Sequence, residues 1–210
     1  MRIGVFGGSF DPVHIGHLIA AECCREQVGL DRVVFMPVAA APHKRDRRLA
    51  PADDRVQMLR LAVGGHDAFA VSTLEVDRGG VSFTVDTLSQ LRESHPADDL
   101  CLLLGPDAII DFPTWREPAK ILEHARPLVM MREVIDDMST FTGDDRLAAL
   151  VGRESLAALV TGAVRLPAIG IRASDLRAAV GNGQSIRFRT PRAVEAYITA
   201  HNLYRRALPT

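Results

Sequence analysis

Short apolar runs alternate along this chain with longer stretches in which apolar residues recur every three or four positions. The runs at residues 2–7, 33–37 and 100–104 are typical of buried strands, and residues 15–28 carry the spacing of an amphipathic helix. The same patterns predict further strands at 69–76, 128–131 and 164–169 and further helices at 51–63, 84–92 and 146–159. Strands that alternate with helices predict an α/β fold, a Rossmann-like, doubly wound parallel sheet.

Glycine-rich and polar pieces follow three of the predicted strands. They are Gly7-Gly8-Ser9, Pro42-His43-Lys44 and Gly105-Pro106-Asp107. In parallel sheets of this kind ligands bind beyond the carboxyl ends of the strands, so these pieces are candidates for a binding site. We find no internal repeat, and we predict a single domain over residues 1–210 with a small helical C-terminal part at about 171–210.

Composition narrows the class of protein. The chain has 210 residues, 47% of them hydrophobic, which is enough for a substantial core, and a formal net charge of -1, which gives no overall field toward nucleic acid or membrane. Three cysteines give no disulfide framework, no apolar run approaches the roughly 20 residues that cross a bilayer, and no leader pattern precedes the first strand. We therefore expect a cytoplasmic protein that binds neither nucleic acid nor a membrane.

The first candidate site is the stretch "GVFGGSFDPVHIGH" at residues 4–17. Gly7 and Gly8 let backbone amides approach a ligand closely, and the predicted helix brings an N-terminus that favours an anion. His14 and His17 are three residues apart and share one face of the first turn, where imidazoles can donate hydrogen bonds to phosphate oxygens. The residues alone predict an anion site. Incidental surface histidines stay open as an interpretation, whereas a zinc site is disfavoured because no third ligand follows.

The stretch resembles the signature GG(S/T)FDPxHxGH of the nucleotidyltransferase superfamily, and within it the chain is most similar to the bacterial nicotinate-nucleotide adenylyltransferase family, from Ile3 to about Arg205. Pro42-His43-Lys44 resembles that family's P-P-H-K loop, residues 81–88 its S-Y-T-x-D-T-L element and residues 112–115 its F-P-T-W element. The second signature, I-S-x-T-x-x-R, is degenerate at residues 171–177: Ser174 replaces Thr, Arg177 is kept, and Arg172 stands where the family has Ser. The common "RPGY" form is also missing after Arg132.

The resemblance implies a role for each matching residue. It implies catalytic roles for His14, His17, Lys44 and Arg177. It implies ATP binding by Gly7, Gly8, Ser9, Phe10, His17, Gly105, Asp107, Ile171, Ser174 and Arg177. It implies binding of the second substrate by Lys44, Thr84, Val85, Trp115 and Arg116, with the carboxylate on Thr84 and the Val85 amide and the ring on Trp115. Thr84 and Thr190 are also predicted to cap the helices that they precede.

The activity that the resemblance implies is transfer of an adenylyl group from ATP to nicotinate mononucleotide, giving deamido-NAD and pyrophosphate. The expected partners are these two substrates, with Mg²⁺ carried by ATP and no metal site of the protein's own, and a homo-oligomer stays open. Rival interpretations are an enzyme for nicotinamide mononucleotide or phosphopantetheine, a fragment of a class I tRNA synthetase, and a nucleotide sensor without turnover. A synthetase would need a K-M-S-K-S-like loop, which we do not find.

Overall fold

Six β-strands form one sheet within the residues that the computed structural model describes, which are 1–39, 49–132 and 144–205. The strands are β1 (Arg2–Gly8), β2 (Arg32–Pro37), β3 (Phe69–Val71), β4 (Asp99–Leu104), β5 (Arg126–Arg132) and β6 (Val164–Leu166). Their order is β3-β2-β1-β4-β5-β6, and β1, β4, β5 and β6 pair in parallel. The sequence-based prediction of a doubly wound, Rossmann-like α/β fold is confirmed, because this strand order reverses direction beside β1.

Helices occupy the connections between these strands and the chain that follows β6. They are α1 (Ile15–Val28), α2 (Ala52–Val63), α3 (Leu74–Arg78), α4 (Thr84–Ser94), α5 (Pro106–Asp111), α6 (Pro118–His124), α7 (Asp145–Val151), α8 (Arg153–Thr161), α9 (Ala173–Gly181) and α10 (Arg192–Ala200), with a 3₁₀ turn at Phe112–Thr114. In the described part of the chain no helix has the length and apolar character that a membrane span requires.

Three sequence-based boundaries are wrong. The strand predicted over 164–169 ends at Leu166, and the other two differ for identifiable reasons. The strand predicted over 69–76 ends at Val71, and the chain then forms α3, which the Thr73 hydroxyl supports by donating to Asp77 Oδ2 at 2.7 Å. The helix predicted over 146–159 is two helices, α7 and α8, because Gly152 between them has a positive φ of 84°. Such a backbone conformation ends one helix before the next begins.

The chain divides into two compact units that interleave along the sequence. The first contains Met1–Phe6, Ala20–Val34 and Ser82–Ala168, and the second contains Gly7–Ile19, Phe35–Val81 and the chain from Ile169 onward. The core of the first unit is built on the fully covered strands β4 and β5, as expected for parallel strands with helices on both faces. The second unit has a row of edge-to-face rings, Phe10 on Phe35 and Phe35 on Phe69. One domain over 1–210 stays a prediction.

Candidate active site

The loop that follows β1, which we call the glycine–histidine loop (Gly7–His17), belongs to the second unit. A Cβ on Gly8 would approach the Phe10 ring to 3.0 Å, whereas a Cβ on Gly7 would meet nothing within 4 Å. Phe10 is buried with a positive φ of 46°, and its ring meets the edge of the His17 ring at 5.1 Å. Gly8 is therefore needed because the loop folds over Phe10, and Phe10 can meet a ligand only through its backbone.

His14 and His17 are stacked at the start of α1. Their ring centroids are 3.7 Å apart and the rings are inclined by 20°. The His14 backbone N–H donates to Nδ1 of His17 at 3.2 Å, so the proton of a neutral His17 ring lies on Nε2. A Cβ on Gly16 would lie 3.1 Å from Nδ1 of His14. The glycine between the two histidines therefore makes room for the first imidazole.

Burial keeps both imidazoles neutral. Desolvation lowers the pKa of His14 from 6.5 to about 4, and desolvation followed by repulsion from His14 lowers the pKa of His17 well below 6.5. Nδ1 of His14 is buried with no hydrogen-bond partner among the described residues. A buried polar atom in that state is costly unless a ligand supplies its partner, so this nitrogen makes the loop a candidate binding site.

Asp11 links the loop to the C-terminal part of the chain. Its side chain is 2% exposed, and Oδ1 accepts hydrogen bonds from the Tyr204 hydroxyl at 2.7 Å and the Ala50 backbone N–H at 3.2 Å. Nη1 of Arg177 donates to the Asp11 carbonyl at 2.5 Å and lies 3.5 Å from Oδ2. The guanidinium proposed from sequence to bind phosphate is thus held beside the glycine–histidine loop by Asp11.

Arg55 on α2 is the largest of the fully buried side chains in the described part of the chain, 1% exposed. Its guanidinium donates three hydrogen bonds to backbone carbonyls: Nη1 to Ser9 at 2.9 Å, Nη2 to Ala39 at 3.2 Å and Nε to Ala50 at 3.0 Å. Burial lowers the pKa of this guanidinium below its usual value, and the Asp11 carboxylate opposes that change. Arg55 therefore joins the glycine–histidine loop to the chain that follows β2 and to the chain that precedes α2.

Two contacts from the C-terminal part fix the start of α1. The Thr190 hydroxyl, buried, donates to the Val13 carbonyl at 2.8 Å, and the Ile15 backbone N–H donates to the Arg189 carbonyl at 3.1 Å. Thr190 was predicted to cap α10, and this is wrong, because Pro191 occupies the N-cap and the hydroxyl serves Val13 instead.

The second signature lies at the start of α9. Arg172 is the N-cap residue and makes no side-chain capping bond, and its side chain is exposed. Ser174 is exposed and its hydroxyl donates to Asp175 Oδ1 at 3.1 Å, while Ile171 is half-buried. Within the second signature, Arg177 contacts the glycine–histidine loop through its hydrogen bond to the Asp11 carbonyl.

The proposed carboxylate-binding residues belong to the first unit. Thr84 and Val85 are the first two residues of α4, where backbone N–H groups have no acceptor within the helix. The prediction that Thr84 caps this helix is wrong, because Phe83 occupies the N-cap. Arg116 lies 3.6 Å from Asp86 Oδ2 and its guanidinium carbon lies 4.9 Å from the centre of the Phe83 ring.

Trp115 ends the 3₁₀ turn, also in the first unit. Its ring packs against Phe112 with centroids 5.4 Å apart and is partly buried on the core of that unit. Gly105 is the N-cap of α5 and is half-buried, and the exposed Asp107 lies in the first turn of that helix. We call Phe112–Glu117 the tryptophan turn.

Lys44 lies outside the described residues, as do the rest of Pro42-His43-Lys44 and the segment after Arg132. Within the described ranges, no three or more His, Cys, Asp and Glu side chains are grouped closely enough to hold a metal ion.

Sequence reasoning missed three residues that organise the loop. Nothing in the sequence indicates the role of Arg55, because its guanidinium bonds to backbone carbonyls and these are present at every residue. Asp11 and Tyr204 do have one, since Asp11 lies in the F-D-P part of the signature and Tyr204 in the Leu-Tyr ending, but their pairing across 193 positions is not readable.

The chain is similar to known proteins along nearly its whole length. Residues 5–179 match the model of the family described as "Cytidylyltransferase-like". The chain is 42% identical to the probable nicotinate-nucleotide adenylyltransferase of Thermomicrobium roseum, over 97% of this chain and 92% of the relative. It is 40% identical to the corresponding protein of Thermus thermophilus, over 98% and 100%.

The fold also resembles that of a solved structure. Nicotinic acid mononucleotide adenylyltransferase of Plasmodium falciparum, complexed with NaAD, aligns with a TM-score of 0.74 over 97% of each chain. The sequences are 19% identical, so this likeness concerns the fold.

Proposed function

We infer the activity from family membership: this chain belongs to the cytidylyltransferase-like family and, within it, to the nicotinate-nucleotide adenylyltransferases. It transfers the adenylyl group of ATP to nicotinate mononucleotide and releases pyrophosphate, a step of NAD biosynthesis. The observation that carries this conclusion is about 40% identity along nearly the whole chain to proteins of that name, with the H-x-G-H element intact at His14 and His17.

In the reaction a phosphate oxygen of nicotinate mononucleotide forms a bond to the α-phosphorus of ATP, and the bond from that phosphorus to the bridging oxygen of pyrophosphate breaks. No protein nucleophile is required, so the rate comes from positioning and charge stabilisation. We propose that Nε2–H of His17 donates to the α-phosphate as its negative charge grows. The hydrogen bond into Nδ1 supports this role, because it holds the proton on Nε2.

The remaining phosphate contacts are proposed for neighbouring groups. Gly7, Gly8 and Ser9 would present backbone amides, and His14 would use the buried nitrogen that has no partner. Arg177 would hold the β- and γ-phosphates, and Lys44 would join it there. Because both imidazoles are neutral, the first contact with phosphate is by hydrogen bonds, and the bound charge then raises their pKa values.

For ATP we further propose Phe10, Ile171 and Ser174 as contacts, and Gly105 and Asp107 for its ribose hydroxyls. Mg²⁺ would arrive with the triphosphate, because this ion keeps most of its water and is bound largely by phosphate oxygens in nucleotide-dependent enzymes. The ion would neutralise charge on the leaving pyrophosphate.

Nicotinate mononucleotide would bind through the first unit. We propose that the amides of Thr84 and Val85 bind the carboxylate at the N-terminus of α4, where an anion is favoured. The pyridine ring would stack on Trp115, and Arg116 would contribute a positive charge. The exposure of the Arg116 side chain, 50%, supports a role toward a ligand.

Pyrophosphate release with ATP and each of three acceptors tests this proposal. Nicotinate mononucleotide should be the best acceptor by kcat/KM, ahead of nicotinamide mononucleotide, with phosphopantetheine inert. A preference for the amide would assign the other pyridine nucleotide. Release with none of the three would favour a nucleotide sensor.

We further propose a cytoplasmic enzyme that acts without nucleic acid or membrane. A formal net charge of -1 supports the absence of these two partners, since it gives no strong electrostatic attraction to nucleic acid or to an anionic membrane surface.

A further inference from the structure

The chain has two tyrosines, and both donate the same kind of hydrogen bond. The Tyr204 hydroxyl donates to Asp11 Oδ1 at 2.7 Å, and the Tyr197 hydroxyl donates to Asp54 Oδ1 at 2.7 Å. The two carboxylates differ in their surroundings. Asp11 is in the glycine–histidine loop and faces Arg177, whereas Asp54 is on α2 and faces the C-terminal helix α10.

The two oxygens of Asp11 have different partners. Oδ1 accepts from the Tyr204 hydroxyl and the Ala50 N–H, and Oδ2 lies 3.5 Å from Nη1 of Arg177 without a hydrogen bond. Arg177 instead donates from Nη1 to the Asp11 carbonyl. Because two donors occupy Oδ1, the carboxylate cannot turn both oxygens toward the guanidinium, and a bidentate ion pair does not form.

The Tyr204 phenol is well placed to hold the carboxylate in this orientation. Its pKa is raised by burial and by Asp11, so the hydroxyl keeps its proton and remains a donor. The Ala50 N–H, at 3.2 Å, is the longer of the two bonds to Oδ1. Without the phenol, the carboxylate is free to rotate onto Arg177 and to draw its donors away from a ligand.

We propose that Tyr204 is a positioning residue that acts through Asp11: its hydroxyl holds the carboxylate so that Arg177 keeps donors for the phosphates of ATP. This rests on the proposed function, in which Arg177 binds those phosphates. Removal of the hydroxyl should therefore raise the KM for ATP and leave the KM for nicotinate mononucleotide unchanged.

The test compares Tyr204→Phe with Tyr197→Phe, which removes a hydrogen bond of the same length to a carboxylate outside the site. Tyr204→Phe should raise the KM for ATP about tenfold, the effect of a lost hydrogen bond to a charged group, with the KM for nicotinate mononucleotide unchanged. Tyr197→Phe should leave both KM values at the parental level. Thermal unfolding of the two variants checks the structural cost, and equal kinetics in both would overturn the proposal.

A double-mutant cycle with Arg177→Ala separates this inference from the function on which it rests. If Tyr204 acts through Arg177, then Tyr204→Phe should change the KM for ATP less than about twofold once the guanidinium is gone. An equal effect in both backgrounds would overturn the inference alone. An unchanged KM for ATP in Arg177→Ala would instead contradict the phosphate role of Arg177.

A second measurement serves if Tyr204→Phe does not fold. In Tyr197→Phe protein Tyr204 is the one tyrosine left in the sequence, so 3-fluorotyrosine supplied during expression labels it alone. The more acidic phenol donates more strongly to Asp11 and should lower the KM for ATP by about twofold. An unchanged KM for ATP would count against the proposal.

Discussion

The glycine–histidine loop and the tryptophan turn are held in place in different ways. In the loop, Asp11 and Val13 accept hydrogen bonds from Tyr204 and Thr190, side chains 193 and 177 positions away, and all four residues belong to one unit. In the turn the bonds are local: the Trp115 N–H donates to the Phe112 carbonyl at 3.0 Å and the Thr114 hydroxyl donates to the Asp111 carbonyl at 2.7 Å.

We interpret this difference through the roles proposed above, chemistry for the loop and recognition for the turn. Transfer of the adenylyl group needs donors fixed to within a fraction of an ångström of the charge that develops, and contacts from several parts of the chain suit the proposed role of the loop. Recognition of a flat ring needs a stacking surface, which a short local turn can provide. We therefore expect changes in the loop to lower kcat or stability and changes in the turn to raise KM for the mononucleotide.

The sharpest challenge to this comparison is His17→Ala. It removes the donor proposed for the α-phosphate and should lower kcat about 10²–10³-fold, the cost of losing one donor to a developing charge. The matched control is His201→Ala, because His201 is also a stacked histidine but is exposed on the C-terminal part. Near-parental turnover of the His17 variant, with parental thermal unfolding, would remove His17 from the mechanism.

The second challenge concerns the buried side chain of Arg55, which holds the glycine–histidine loop. Arg55→Met leaves three backbone carbonyls without their donor and should lower the free energy of unfolding by about 3–4 kcal/mol. Arg60→Met on the same helix is the control, since Arg60 is exposed, and urea unfolding of both variants is the measurement. Equal losses would mean that the Arg55 bonds contribute nothing beyond helix packing.

Much of the loop could be predicted from sequence because its signals are local. A strand that ends in two glycines and a helix that begins beside two histidines are readable within residues 2–17, and the structure has both elements there. The family resemblance then supplied a function, which the relatives confirm.

The rest depends on partners far apart in sequence. Thr190 was expected to cap its own helix, but a carbonyl at Val13 takes its hydroxyl. Arg55 lies in a regular helix, where a charged residue is ordinarily read as exposed, and tertiary contacts alone reveal that it is buried. The strand predicted beyond Val71 failed because the Thr73 and Asp77 side chains favour a helix there.

The third challenge uses pH. The pKa of His14 is about 4 in the folded protein, and its ordinary value in an unfolded chain is 6.5. Below about pH 6.5 the imidazole is therefore protonated in the unfolded chain and stays neutral in the folded protein. The contribution of His14 to the free energy of unfolding is complete above that pH and is lost as the pH falls toward 4. About 2 kcal/mol of it is lost between pH 7.5 and pH 5. His14→Asn should flatten the curve of unfolding free energy against pH by that amount. Parallel curves for the two proteins would mean that His14 is not buried as a neutral ring.

The smallest expected effect is in the tryptophan turn, and it tests the other side of the comparison. Trp115→Ala should raise the KM for nicotinate mononucleotide about tenfold, because the stacking surface is lost, with the KM for ATP and kcat nearly unchanged. Trp115 also packs on Phe112, so Trp115→Phe serves as the control that keeps an aromatic face and most of the packing. It should restore most of the affinity. If both variants instead lower kcat and raise both KM values equally, recognition is not separable from chemistry in this protein.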